Sequence, residues 1–374
     1  MLAAPFPRRI PAYEVNVMND VSQLFSGSFD HSAFSGPARL AELPRDPAAI
    51  VRGSALIERS CATIAAAAAS IRDEALQKAC LDLLKSPELR FLDRWHDHEK
   101  VRALHAELTG RGLLDPAKTS ADDLFPPHNV PVQPFEAAPG SGWNSHHAYP
   151  GGLAVHVALN IETSLACCGM YEKYYGYQLD RDTVLAAQIA HDIAKVRIHQ
   201  WQPDGSFRAD YPVAGKGGHL VMSLAEAIVR GLPAKVILAQ ACAHTAPNTA
   251  ENEAAVVRWL TAACLMAESD PVELGLLDET RLALSRPHRQ EWFAVHYGDG
   301  DYVLSMPAAK RAVALLRHLA AEEYSMNEND LGGARFNAFR NFVGAHLSFM
   351  KIDELAASRG FAAVREAVAT IVQL

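Results

Sequence analysis

No CxxC pair occurs among the six cysteines of this 374-residue chain, so a dithiol redox motif and the common thiolate zinc patterns are not expected. Cys61, Cys80, Cys167, Cys168, Cys242 and Cys264 include several that lie in alanine-rich or apolar helical text. Reduced, buried thiols are expected there, and with them a cytoplasmic setting. Basic charge is not in excess: 35 Lys and Arg stand against 43 Asp and Glu, a net charge of −8. A general electrostatic grip on nucleic acid is therefore not expected, although a local basic pocket stays open. The uncharged run Cys61–Ile71 is too short, and too rich in alanine, to cross a membrane. Arg8-Arg9 lead into Pro11, Tyr13 and Glu14 rather than an apolar stretch, which argues against a secretory signal. There are no internal repeats, no low-complexity tract beyond Ala65–Ala69 and no heptad seam.

What the chain does have is apolar periodicity. With 49% hydrophobic residues it can bury a sizeable core as one large domain or two ordinary ones. Residues 1–47 are rich in Pro, Gly, Ser and Phe and read as an irregular arm. Leu56, Ile57, Cys61, Ile64, Ala68, Ile71, Ala75 and Leu76 recur at three- and four-residue steps, the stripe of an amphipathic helix. A second helix is expected over 87–108. The proline-rich segment 113–142 marks the best boundary. Helices follow at about 150–176, 182–195 (with Asp182 as N-cap), 217–230, 233–245 and 252–269, and the segment 278–374 is again mostly helical. Within it, Met306-Pro307 is expected to open one helix and Gly332-Gly333 to separate others. Residues 197–212 break the pattern around Pro203-Asp204-Gly205-Ser206 and predict a small hairpin. The fold expected is all-α with that hairpin inserted, in three parts: 1–142, 143–275 and 276–374.

Through the helical region runs a series of potential metal ligands: His156, the pair His191-Asp192, His219, His244 and Asp270. They fall at intervals of one helix plus one connection. Six protein ligands exceed what a single catalytic metal with an open position needs, so two metals are expected. Neighbouring helical residues point about 100° apart. His191 and Asp192 can thus share a site only near a helix end or beside a dinuclear centre, where a carboxylate can bridge. Lys195, about one turn on, would set an ammonium beside the site and hold a phosphate or another anion. His147, more than its neighbour His146, is the candidate for a substrate or acid/base group. Lys216 and Arg197 flank the hairpin and are candidate phosphate contacts. Trp201 and Phe207 form either a local clasp or a lid. His96 and His98 read as a solvated helix face, and Cys167-Cys168 as core packing.

At these residues the sequence resembles the HD-domain superfamily, with its signature H…HD…D. "HHAYPGGLAVHV" (146–157) is similar to the opening of a branch that includes 3′→5′ exoribonuclease-like proteins. "AAQIAHDIAKV" (186–196) resembles the HD core, and "GKGGHLVM" (215–222) the segment after that branch's hairpin. The resemblance covers about 143–272. It implies a helical core of about five helices, with His156, His191, Asp192, His219, His244 and Asp270 as ligands, Asp192 bridging and Lys195 on the substrate. The N-terminal region reads helical where the exoribonuclease branch carries a nucleic-acid-binding barrel. The implied function is metal-dependent hydrolysis of a phosphomonoester or phosphodiester, a nucleotide among the candidates. The alternatives are a mixed-valent diiron oxygenase acting on a small polar substrate, which shares the six-ligand set, and a non-catalytic nucleotide-sensing module. The metals expected are two divalent first-row ions, iron or manganese first, then zinc, cobalt or nickel. The expected partner is a small anionic molecule, with neither membrane nor nucleic acid; homodimer formation through the flanking helices stays open.

Overall fold

The computed structural model describes Leu24, Phe25, Phe29 and residues 36–374 other than Asn144; the expected arm over 1–47 falls largely outside these. The described chain is all-α with small strands. Four helices come first: α1 (Pro47–Arg52), α2 (Ala55–Ala69), α3 (Glu74–Lys85) and α4 (His98–Gly110). The single helix expected over 87–108 is divided. A 3-10 turn at Arg90–Arg94 is followed by a break, and α4 starts afresh with the Asp97 carboxylate capping Glu99 N. The proline-rich segment then runs to α5 (Gly152–Tyr175) without further α-helix. It is far from a solvated linker, because Leu124, Phe125, Phe135, Ala137 and Ala138 are all buried.

Helix α5 is the hub, packing against α2, against α6 (Arg181–Ala190) and against α11 (Gln290–Gly298). By length and composition α5 could cross a membrane, but more than half of its apolar window is buried inside the protein. It also carries His156 and Asn160, both buried. A core helix with polar groups aimed at a common point accounts for that better than lipid contact. Helix α6 is capped by Asp180, which accepts from Thr183 N, not by Asp182. The Asp182 carboxylate instead accepts from Arg72 N and Asp73 N and so ties the start of α3 to α6. A short α7 (Lys195–Ile198) precedes the hairpin, and α8 (Gly218–Val229), α9 (Ala234–Ala241) and α10 (Ala250–Met266) follow it.

The turn at Pro203–Ser206 closes a single bridge between Trp201 and Phe207, and their rings meet edge-on at 5.0 Å. Trp201 also donates to Ala137 O. This pair is a local clasp. The ladder proper lies just beyond it, β2 (Pro212–Val213) antiparallel to β3 (Lys216–Gly217). The other two-residue pair is parallel, β1 (Ala38–Arg39) on β4 (Val372–Gln373), and joins the N-terminal layer to the chain's end. The C-terminal helices are α12 (Tyr302–Glu323), α13 (Glu328–Leu331), α14 (Ala334–Leu347), α15 (Phe349–Arg359) and α16 (Phe361–Ala369). Pro307 does not open a helix; it lies inside α12. Gly332 and Gly333 do separate α13 from α14. All six cysteines are buried and unpaired.

Two glycines position the site. A Cβ on Gly152 would fall 1.8 Å from His147 O, where Gly140 N also donates at 2.9 Å. Only glycine lets the first turn of α5 close against the 140–147 segment. Gly152→Ala is expected to cost about 3 kcal/mol through backbone displacement, read as a lower Tm, and to loosen the loop that carries His146. An unchanged Tm would mean that this approach is not required.

Candidate metal centre

The second glycine is Gly298, the last residue of α11. A Cβ there would lie 2.1 Å from Ser164 Oγ and 2.4 Å from Gln188 Nε2. The bare backbone lets α11 end directly on α5 and α6, and the next residue, Asp299, enters the middle of the ligand series. His156 comes from α5. His191 and Asp192 follow immediately after α6, so the pair sits at a helix end, the condition that lets both face one point. His219 lies in the first turn of α8, and His244 follows α9.

These side chains form two clusters sharing Asp192. In the first, His156, His191 and Asp299 converge. Asp299 Oδ1 is 3.1 Å from His156 Nε2 and 3.6 Å from His191 Nε2, and the two imidazole nitrogens are 3.4 Å apart. In the second, Asp192, His219 and His244 converge, with the two Nε2 atoms 3.0 Å apart. Asp192 turns one oxygen to each. Its Oδ2 lies 3.1 Å from His156 Nε2 and 3.2 Å from His191 Nε2; its Oδ1 lies 3.5 Å from His219 Nε2 and 3.7 Å from His244 Nε2. Asp299 Oδ2 reaches across to His244 Nδ1 at 2.9 Å.

The donor set fits metal ions. His191 Nδ1 can only donate to Gln188 O at 2.8 Å, and His219 Nδ1 meets the Asp210 carboxylate at 2.6 Å. In the neutral rings, both inner Nε2 atoms therefore carry lone pairs, the tautomer a ligating histidine uses. Carboxylate oxygens face those lone pairs, so the cluster requires positive charge between them. Asp192 Oδ1 is buried with no hydrogen-bond partner, a costly state unless something coordinates it. The titration behaviour agrees. Burial opposes ionisation of Asp192 and Asp299, yet the surrounding histidines, together with Lys195 at Asp192, hold both carboxyls well below their usual range. Burial would lower His191, but Asp192 and Asp299 raise it to about 10.

Beside the clusters opens a cavity of about 270 Å³, whose wall includes Ser141, His146, Lys195, Lys216, His219 and Tyr302. Lys195 Nζ donates to Asp192 Oδ2 and, at 2.5 Å, to Gly140 O. An ammonium has three donors, so one remains for the cavity. Lys216 stands in the same wall.

The other expected site residues are placed differently. Asp270 does not join the clusters. Its Oδ1 accepts from Val272 N at 2.8 Å and Glu273 N at 3.2 Å, and its Oδ2 takes Arg281 at 2.6 Å. Pro271 turns the chain so that this carboxylate caps its own turn and pairs at the surface; Asp299 occupies the place expected for it. Arg197 points away from the cavity and gives its guanidinium to the carbonyls of Val130 and His128. His147 is buried between Tyr149 OH at 3.2 Å and Asp301 Oδ2 at 3.0 Å. It is His146 that faces the cavity, with a buried Nδ1 lacking any partner; burial holds its pKa far below the usual value. Asp299, Asp210 and Asp301 carried no signal tied to the HD motif. The acidic repeat "GDGD" at 298–301, just after a helix end, is the one feature that could have raised Asp299.

The fold and site together define a helical protein with a two-cluster His/Asp centre able to hold metal ions. Among curated proteins, the chain is similar to the dihydroneopterin 2′,3′-cyclic phosphate phosphodiesterase of Methanocaldococcus jannaschii, at 28% identity over 189 residues. The match takes in 49% of this chain and 61% of that relative's length. No family model and no solved structure matches the chain.

Proposed function

We infer that the chain is a metal-dependent phosphohydrolase whose centre holds two divalent first-row ions, and that its substrate is a small phosphodiester. The observation that carries this reading is Asp192, whose two oxygens face two separate histidine clusters. The phosphodiesterase activity of the M. jannaschii relative supports the reaction class. His156, His191, Asp192 and Asp299 would hold one ion; Asp192, His219 and His244 would hold the other. Iron or manganese suits mixed imidazole and carboxylate ligation. Bound there, such ions would supply Lewis acidity toward the phosphoryl oxygens and a nucleophile from water at neutral pH. The residues do the rest. Asp192 and Gly140 O fix the Lys195 ammonium so that its free donor meets a phosphoryl oxygen in the cavity. Asp210 fixes the His219 ring and Gln188 O the His191 ring, which keeps each lone pair inward. Lys216 adds positive charge along the same wall.

The test is metal analysis of anaerobically purified protein, followed by assay of an aryl phosphodiester and a 2′,3′-cyclic phosphate with O₂ uptake recorded in parallel. About two metal equivalents per chain and anaerobic hydrolysis are expected. Substrate-dependent O₂ consumption without hydrolysis would select the oxygenase instead. Lys195→Met should lower kcat by about 10²-fold with metal content retained; an unchanged kcat would remove Lys195 from the reaction.

A further inference from the structure

A second cavity, of about 250 Å³, lies between the Pro203–Ser206 turn and helices α12 and α14. The two cavities are neighbours along the chain, with Trp143 in this wall and Ser141 and Gly142 in the other. Its floor is Arg340, 2% exposed. The guanidinium stacks on Trp143 at 4.0 Å and on Phe349 at 5.0 Å. It donates to Ala148 O, Asn341 Oδ1 and Trp143 O at 2.7, 3.0 and 2.8 Å. Those bonds use three of the five N–H donors of an arginine, so two are left. Among the described residues no carboxylate pairs with it, although a buried cation without a counter-ion is costly. Burial pulls its pKa down to about 9, which still leaves it charged at neutral pH.

At the mouth stands Arg317, exposed, its guanidinium 5.0 Å over the Phe336 ring. It too has no ion-pair partner among the described residues. Asp204 supplies the opposing charge in this wall. Its carboxylate is occupied locally, accepting from Ser206 N at 2.9 Å and Ser206 Oγ at 2.6 Å. Two arginines against one aspartate leave the cavity with a net charge of about +1. Beside the two arginines the wall combines the apolar side chains of Trp143, Val313, Leu331 and Phe336 with the polar Ser206 and Asn337. Planar donors without a counter-ion beside apolar side chains match an oxyanion head carrying a compact hydrophobic body.

We propose that this second cavity is a binding site for a small organic anion, its phosphate or carboxylate head on Arg340 and Arg317 and its body against Trp143 and Phe336. The site is separate from the metal centre and needs no turnover there, so a catalytically silent centre leaves the result unchanged.

The test is calorimetric titration of the full-length, metal-loaded protein with phenylphosphonate, which is resistant to hydrolysis, and with inorganic phosphate. A phenylphosphonate site is expected that survives Lys195→Gln and is weakened at least about ten-fold by Arg317→Glu, the loss of one charge-assisted contact. Arg317→Gln should give a smaller loss in the same direction. Arg317 is exposed, so both variants should fold, and a thermal melt checks this. Inorganic phosphate should bind this site more weakly, because it lacks the apolar body. The proposal is overturned if both folded Arg317 variants bind phenylphosphonate as the wild type does. It is also overturned if Lys195→Gln abolishes all binding, or if the Arg317-dependent site takes inorganic phosphate as tightly as phenylphosphonate.

Discussion

Asp192→Ala is expected to reduce bound metal from about two equivalents per chain to less than one, and to abolish measurable hydrolysis. The size of the effect follows from where the carboxylate sits. Partners that merely orient a ligand are worth about 10–100-fold in metal affinity. Asp192 is closer in than that: one oxygen faces His156 and His191, the other faces His219 and His244. Removing it withdraws negative charge from both clusters at once and leaves four imidazoles with Asp299 as the one remaining carboxylate among them. It also frees the Lys195 ammonium, which Asp192 holds by a hydrogen bond, and a mobile cation beside the clusters opposes binding of another. A loss well beyond 100-fold in affinity is therefore the expectation. Asp192→Asn separates the charge from the volume: it keeps the shape but lacks the anion, and should lose metal nearly as fully while melting close to the wild type. Metal content unchanged in Asp192→Ala would sink the dinuclear reading. Loss only in Ala, with Asn at wild-type content, would show that volume rather than charge was at stake.

The helical text was legible because it is periodic. The stripe from Leu56 to Leu76 marks α2 and the start of α3, and five of the six expected ligands converge where successive helix ends meet. What escaped was whatever depends on contacts between distant segments. Asp182 reads as the cap of α6 in sequence, and the structure gives that role to Asp180. Arg72 and Asp73 decide this, since their backbone amides claim the Asp182 carboxylate from more than a hundred residues away. Of the adjacent pair His146-His147, the sequence favours His147 for the site, and the structure reverses that choice. Asp301, from the far side of α11, claims His147 and leaves His146 to the cavity. Arg197 looked free beside the hairpin, yet the 128–130 carbonyls take it. In each case the partner that decided the side chain's use lay in a distant segment, and the sequence reading gave way to it.

Asp299 is the clearest instance, and it yields the second large effect. Asp299→Ala should lower the first cluster's metal affinity by more than about 100-fold, taking most activity with it, whereas Asp270→Ala should leave metal content unaltered and activity within about twofold. The reasons are geometric. Asp299 is 6% exposed, lies against His156 and His191 through Oδ1, and steadies His244 through Oδ2. Asn160 also donates to it, at 3.1 Å, so its position is fixed from two helices. Asp270 is half-exposed and spends its oxygens on its own turn and on Arg281. Losing it removes a turn cap and an exposed, solvent-screened ion pair, a small change in stability rather than in chemistry. The two aspartates thus make opposite demands on the same pair of measurements, metal content and Tm. If Asp270→Ala stripped metal while Asp299→Ala kept it, the arrangement of helices α10 and α11 around the centre would be wrong. If both kept it, the centre would lie elsewhere. Gly298 provides an independent check on the same placement. A methyl group there meets Ser164 and Gln188 and should push Asp299 outward, so Gly298→Ala should mimic Asp299→Ala in metal loss although no ligand has been changed.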